Sequence, residues 1–204
     1  MNKNHLGIKR KIFHIAGVLI ILALYEKLSY PVFSQYLFIF TLIFTSIDFF
    51  KRYFKKLRNI SYYLFKEVIR DYEKVQMSGI SYTLVGILIS TSLFSHEINS
   101  LAILFLAFVD PISSFFGILY GKNHKISSSA SLHGCVAGFL SAFFLSLIYF
   151  LANSLMLERL LIVSITSGII ATLSESLDLK IDDNFVIPIL SSAGLWGVIS
   201  IFNI

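Results

Sequence analysis

Seven runs of mainly apolar residues, separated by short polar segments, fill most of this 204-residue chain, at about 8–25, 31–50, 81–94, 100–120, 132–153, 155–174 and 185–202. A helix needs about 20 such residues to cross the hydrocarbon core of a bilayer, with a range of roughly 17–25. In lipid every backbone amide must be satisfied internally, which leaves helices or closed barrels. No run shows the alternation of a barrel strand. The expected fold is therefore all-α: a polytopic membrane helix bundle of about seven transmembrane helices, forming a single integral membrane domain over 1–204. The first and third runs are short of apolar residues and are expected to extend through interfacial side chains that snorkel. The first run follows Lys9, Arg10 and Lys11 without a small-residue cleavage site, and reads as a retained anchor.

Composition excludes other classes. The chain is 56% apolar, 14% charged and holds 20 Phe, too hydrophobic for a soluble domain. A pI of 9.3 would fit a nucleic-acid binder, but the basic residues have another use, and no nucleic-acid partner is expected. With the N-terminus cytoplasmic, seven crossings put 15 of the 17 Lys and Arg on the inner side and leave only Lys27 and Arg159 outside, as the positive-inside rule demands. There they can also meet anionic headgroups. The basic segment 51–79 reads as an amphipathic loop lying on the membrane. Cys135 is the single cysteine, which excludes an intrachain disulfide and a cysteine-built metal cluster.

Acidic residues obey no such rule, yet only Glu26, Glu97 and Glu158 fall outside, while the other nine gather at the inner face. Chemistry is a candidate reason. Asp110 lies within the fourth apolar run, where an ionised carboxylate costs roughly 2.5–3.5 kcal/mol, so it should face protein or water. Pro111 follows it and is expected to break or kink the helix, exposing carbonyls to a cavity. Gly117 and Gly121 have the small-xxx-small spacing of close helix packing. Lys122, His124, Lys125 and Ser127 to Ser129 come next, so that bare backbone beside cations and hydroxyls makes 121–134 a candidate nucleotide loop. Glu175, Asp178, Asp182 and Asp183 bring four carboxylates within nine residues, a donor set suited to Mg²⁺, with Glu175 and Asp183 favoured for lying nearest the apolar spans. His14 sits about one turn into the first span, where it is a packing residue or a catalytic one. Asp48 and Arg52 have the i, i+4 spacing of a local ion pair. Arg70 and Glu73 precede Gly79 at the entry to the third span.

Four of these stretches, KRKIFHIAG at 9–17, the Glu73 to Gly79 segment, DPISSFFGILYGK at 110–122 and ESLDLKIDDNFVIPILS at 175–191, together resemble the membrane-bound CTP-dependent polyprenol kinases. That group includes dolichol kinase, phytol kinase and the CTP-dependent diacylglycerol kinase, and is related to phosphatidate cytidylyltransferase. The resemblance implies a helical enzyme that transfers phosphate from CTP to a lipid alcohol at the cytoplasmic face, with Mg²⁺ as cofactor and membrane lipid as surroundings. On that reading Asp110, Glu175 and Asp183 hold the metal. Gly117, Gly121, Lys122, Lys125, Ser131 and Gly134 receive the nucleotide. Asp110, Glu73 or His14 orients or deprotonates the acceptor hydroxyl. The chain departs from the family where a Lys-Ser/Thr-x-Glu-Gly-Ser segment is usual: it reads Ala130, Ser131, Leu132, His133, Gly134 and Cys135, and Val109 replaces a common Gly before Asp110. Two rivals stay open. A cytidylyltransferase would use the same nucleotide but let a lipid phosphate attack the α-phosphorus, although its Gly-His-Gly-Gly and Asp-Arg-x-x-Asp signatures are missing. A small transporter or membrane scaffold would also hold an intramembrane Asp and a Pro-broken helix. The acceptor lipid, the choice between CTP and ATP and the oligomeric state are not legible in the sequence.

Overall fold

In the computed structural model of the chain, residues 7–126 and 130–202 are described, and they form the expected helix bundle. The helices are α1 (Ile8–Lys27), α2 (Tyr30–Phe50), α3 (Lys55–Phe65), α4 (Gly79–Leu93), α5 (His96–Tyr120), α6 (Leu132–Ala152), α7 (Leu160–Ser176) and α8 (Asp183–Phe202). Among the described residues the only β pairing is one antiparallel bridge between Lys125 and Ser131.

Local sequence explains where these helices start. Pro31 stands in the first turn of α2, where its missing N–H is no loss. Ser78 and Ser131 cap α4 and α6, their hydroxyls accepting from the N–H groups of Ser81 and Gly134 at 3.4 and 3.2 Å, as N-cap serines do. Pro111 does not end its helix, contrary to the sequence expectation. α5 runs through it for 25 residues, because a helix packed on all sides can re-satisfy the carbonyl that a proline frees.

By length and composition α2, α5, α6, α7 and α8 qualify as membrane spans. α4 has 15 residues and extends only about 22 Å at 1.5 Å per residue, against a core of roughly 30 Å. α1 reaches 20 residues but carries Lys9, Arg10, Lys11, Glu26 and Lys27. Five crossings are thus evident, where the sequence led us to expect about seven.

α5 is the axis of the bundle, packing on α1, α4, α6, α7 and α8. Its segment from Leu101 to Ala107 has six fully buried side chains, among them Phe105 and Leu106. Lipid supplies no hydrophobic drive between helices, so close approach of small residues does much of the packing. Ser164 and Ser167 of α7 and Ser191 and Ser192 of α8 are accordingly fully buried. Ser192 also donates to the Asn99 side chain at 3.1 Å, tying α8 to α5. Large apolar side chains of α2, α6 and α7, such as Phe38, Ile148 and Leu161, point outward, as a lipid-facing surface requires.

Asp48 corrects the sequence reading. Its partner is Lys51, one turn on, and not Arg52. Both are buried, 5% and 3% exposed. The second carboxylate oxygen accepts from the Ser78 N–H and hydroxyl, both at 2.7 Å, and from the Ser81 hydroxyl at 2.6 Å. The end of α2 is thereby fastened to the start of α4. Removing one member of a buried ion pair strands the other, which costs about 3–5 kcal/mol. Asp48→Ala should lower the unfolding midpoint in detergent sharply, and adding Lys51→Met should restore much of the loss.

α3, the core of the amphipathic 51–79 loop, has no buried residue and rests its Tyr62 ring under Lys74, 4.5 Å from its centroid. A short 3-10 turn, Asp71–Lys74, leads from there toward α4.

Candidate functional site

Because successive helices reverse direction, the starts of α1, α4, α6 and α8 meet the ends of α5 and α7 at one end of the bundle. They enclose a cavity of about 620 Å³. All eleven candidate residues read from the sequence border it: His14, Glu73, Asp110, Gly117, Gly121, Lys122, Lys125, Ser131, Gly134, Glu175 and Asp183. They come from stretches as far apart as 14 and 183, so only the fold could bring them together.

The carboxylates are sorted by this geometry. Asp110 and Asp183 lie close enough to Glu175 for their charges to act on it, and Glu175 accepts from the Ser113 hydroxyl at 2.8 Å. The other half of the acidic cluster does different work. Asp182 takes Arg70 at 3.1 Å and caps α8 by accepting from the Asn184 N–H at 3.1 Å. Asp178 is exposed and outside the cavity lining. Glu73 is buried in the 3-10 turn. Burial pushes its carboxyl above the ordinary carboxylate range, against the lowering effect of the Arg70 backbone N–H and the Arg70 and Arg10 charges, and Asp182 adds to the rise.

Several contributors were missed, or read only as topology signals. Lys11 reaches across α5, its ammonium donating to the Ser114 hydroxyl and to the Pro111 carbonyl at 3.3 Å, near the charges of Asp110 and Glu175. Arg10 and Arg70 also border the cavity. Lys9 pairs with Glu67 at the surface, holding the start of α1 against the segment before Glu73. The imidazole Nε2 of His14 lies 2.8 Å from the Leu106 carbonyl. A carbonyl can only accept, so Nε2 carries a proton, and in the neutral ring Nδ1 is the acceptor. The pattern of basic residues at one helix start could have flagged Lys11, but charge counting alone assigns it to orientation.

The glycines have a packing reason besides lining the cavity. A Cβ on Gly121 would stand 2.2 Å from the Ser131 hydroxyl oxygen, and one on Gly134 would stand 2.9 Å from the Ser113 carbonyl. Bare Cα atoms here let the start of α6 seat on the end of α5. The Gly121 N–H is spent on the Gly117 carbonyl, so these two glycines offer cavity wall more than free donors. Lys122 and Lys125 are exposed at the mouth. The loop beyond them closes on itself through bonds from Ile126 N–H to the Ala130 carbonyl and from Leu132 N–H to the His124 carbonyl, both 2.9 Å. Ser127, Ser128 and Ser129 lie outside the described residues. His133, which stands where the family acid would be, packs near His124 with ring centroids 5.2 Å apart.

Electrostatically the cavity suits a polyanion. Gly79, Ser131 and Asp183 mark three helix N-termini that open onto it, and each such terminus carries a partial positive charge of about half a unit. Arg10, Lys11, Arg70, Lys122 and Lys125 add full charges. Among the described residues no three His, Cys, Asp or Glu side chains already converge as a metal cage. Mg²⁺ habitually takes one or two carboxylates, several waters and the substrate's phosphates. Asn184 adds a further donor: it borders the cavity, and its side-chain oxygen is buried without a hydrogen-bond partner among the described residues. The donor set therefore fits a hard divalent ion that arrives with a triphosphate.

Comparison with known proteins points to a nucleotide donor. The chain is 27% identical over 223 residues to the CTP-dependent diacylglycerol kinase 1 of Saccharomyces cerevisiae, a match covering 96% of the chain and 74% of that protein. It is 27% identical over 139 residues to the protein of the same name in Schizosaccharomyces pombe, covering 63% of the chain and 64% of the relative. An uncharacterized protein of Rickettsia prowazekii is 28% identical over 184 residues, covering 89% of each. No protein-family model matches the chain, and no solved structure matches it. The named relatives bear out the resemblance to CTP-dependent lipid kinases and support a membrane enzyme of that kind.

Proposed function

We propose that this protein phosphorylates a membrane lipid alcohol with CTP, diacylglycerol being the first acceptor to test because two relatives are named for it. The observation that carries the reading is the single cavity in which four carboxylates, five cations and three helix N-termini meet. In the reaction the acceptor hydroxyl oxygen bonds to the γ-phosphorus, the bond from that phosphorus to the bridging oxygen breaks, and CDP leaves with the electron pair. Such transfer asks mainly for positioning and charge stabilisation.

Lys11, Arg70, Lys122 and Lys125 neutralise the triphosphate, helped by the starts of α4, α6 and α8. Asp110, Glu175 and Asp183, with Asn184, would hold Mg²⁺, which supplies charge neutralisation at the transferring phosphoryl group. Glu73 and the Nδ1 acceptor of His14 are the groups able to take the hydroxyl proton. We read α1 and α4 as the sixth and seventh crossings of one membrane domain. The basic 51–74 segment, Lys122 and Lys125 share the cavity's end, and the positive-inside rule supports our reading of that end as cytoplasmic.

The deciding experiment incubates purified protein with labelled CTP or ATP, magnesium and a panel of lipid alcohols. A labelled lipid phosphate with release of CDP is expected. Release of pyrophosphate from phosphatidate and CTP would instead make it a cytidylyltransferase. Solute movement across vesicles with no nucleotide consumed would make it a transporter.

If Glu73 is the base, it must be ionised to act. Its carboxyl titrates above the ordinary carboxylate range, so activity should climb with pH through that raised value, giving an acid limb displaced upward from the usual ~4.3. Glu73→Gln should slow turnover by about 10²–10⁴ and abolish that limb. An unchanged pH profile in the variant would pass the role to His14 or Asp110.

A further inference from the structure

A second cavity of about 540 Å³ has no polar surface and is lined only by α1, α2, α4 and the residue that ends α1. It adjoins the polar cavity: Ile21, Phe44, Ile80 and Leu84 border both. The helices explain why a cleft exists there. α1 packs chiefly on α5, and α2 on α4, which leaves an apolar groove between α1 and α2. The groove continues past Ile20 and Leu24 to Leu28 and Phe33. Behind Phe33 at that far end, Tyr25 packs its ring 4.8 Å from Phe33 and stacks on His96 at 4.5 Å. From His14 to Leu28 the distance along α1 is about 21 Å, some two thirds of the hydrocarbon core.

We infer that the hydrocarbon of the acceptor alcohol enters laterally between α1 and α2 and lies in this groove, its hydroxyl end passing the Ile21, Phe44, Ile80 and Leu84 neck to reach His14 and Asp110. This rests on the kinase reading above for the word acceptor, but it names where the chain goes and by which route. Continuity decides the occupant. A groove whose surface is wholly apolar opens into a cavity that holds the charges for phosphoryl transfer, and a lipid alcohol is the chemistry that has one end for each. Gly17 supports the route. It borders the polar cavity one turn from both His14 and Ile21, and a Cβ there would meet nothing within 4 Å. Packing therefore does not require glycine at this position, and its bare backbone leaves open the passage just inside the neck.

The test has two arms. In the first, kcat/KM is compared for dioleoylglycerol and dihexanoylglycerol in wild type and in Gly17→Phe, at a position where a Cβ meets nothing within 4 Å, with a thermal unfolding curve to check that the variant folds. The preference for the long-chain acceptor should fall at least tenfold in the variant, through KM. In the second, a diacylglycerol bearing a diazirine within one acyl chain is photolysed with wild type in nanodiscs. Label is expected at Ile80 and Leu84, and excess dioleoylglycerol should compete it away; Leu84 is only 7% exposed, so bulk lipid should reach it little. Label confined to outward residues such as Ile148 and Leu161, without competition, would overturn the inference, as would an unaltered chain preference in an active Gly17→Phe protein. If competed label at Ile80 and Leu84 appears in a protein that phosphorylates no alcohol, the groove stands and the kinase reading falls.

Discussion

Asp110→Asn should reduce phosphoryl transfer by about 10²–10⁴ while the protein still inserts, folds and unfolds at a similar temperature. The substitution keeps the shape of the side chain and removes one charge from the set formed with Glu175 and Asp183. Removing an ionisable group from the interior of α5 lowers the cost of insertion, so a loss of activity cannot be laid to failed assembly. The measurement is transfer of label from CTP to lipid by detergent-solubilised protein, beside a thermal unfolding curve. A magnesium titration separates the two roles open to Asp110. If it holds the ion, the variant should need more Mg²⁺ for half-maximal rate; if it only orients the hydroxyl, the requirement should stay where it was. Wild-type turnover in the variant would take Asp110 out of the mechanism.

Lys11→Met is expected to lower kcat/KM for CTP by roughly 10²–10³, the usual loss for one preorganised charge at a developing anion. Its stem packs much as a methionine would. What disappears is the ammonium that bonds to Ser114 and the Pro111 carbonyl beside Asp110. Lys9 and Arg10 remain, so the positive-inside signal that orients α1 is kept. Lys11→Arg should recover part of the loss, since it restores charge but not the point geometry of the lysine. Protection of the protein by CTP against thermal unfolding should fall in the Met variant in step with kcat/KM. A variant that binds and turns over CTP as the wild type does would return Lys11 to the role of a topology signal.

How much was legible beforehand depends on the range of the interaction. Where the signal is local, the chain announced it: apolar runs near 20 residues became helices, as those at 31–50 and 132–153 did. Where a residue acts through a distant partner, pattern alone misled. Asp48 has Arg52 at ion-pair spacing, yet burial against α4 made Lys51 and Ser78 its partners. Pro111 should break or kink a helix by its own chemistry, yet α5 continues through it, packed among its neighbouring helices. Gly117 and Gly121 had two readings, close helix packing and open backbone for phosphates, and the close seat of Ser131 bears out the packing one.

Membership of the lipid bilayer, the all-helical class and the bias of charge toward one face follow from composition and order alone, because the cost of an unpaired amide or a bare charge in hydrocarbon is large and does not depend on neighbours. Which carboxylates share a cavity, which merely hold the frame, and where an apolar groove opens beside them were decided by tertiary structure. Those distinctions turn on contacts a few ångströms long between segments from 30 to 112 residues apart, and no spacing along the chain encodes such contacts.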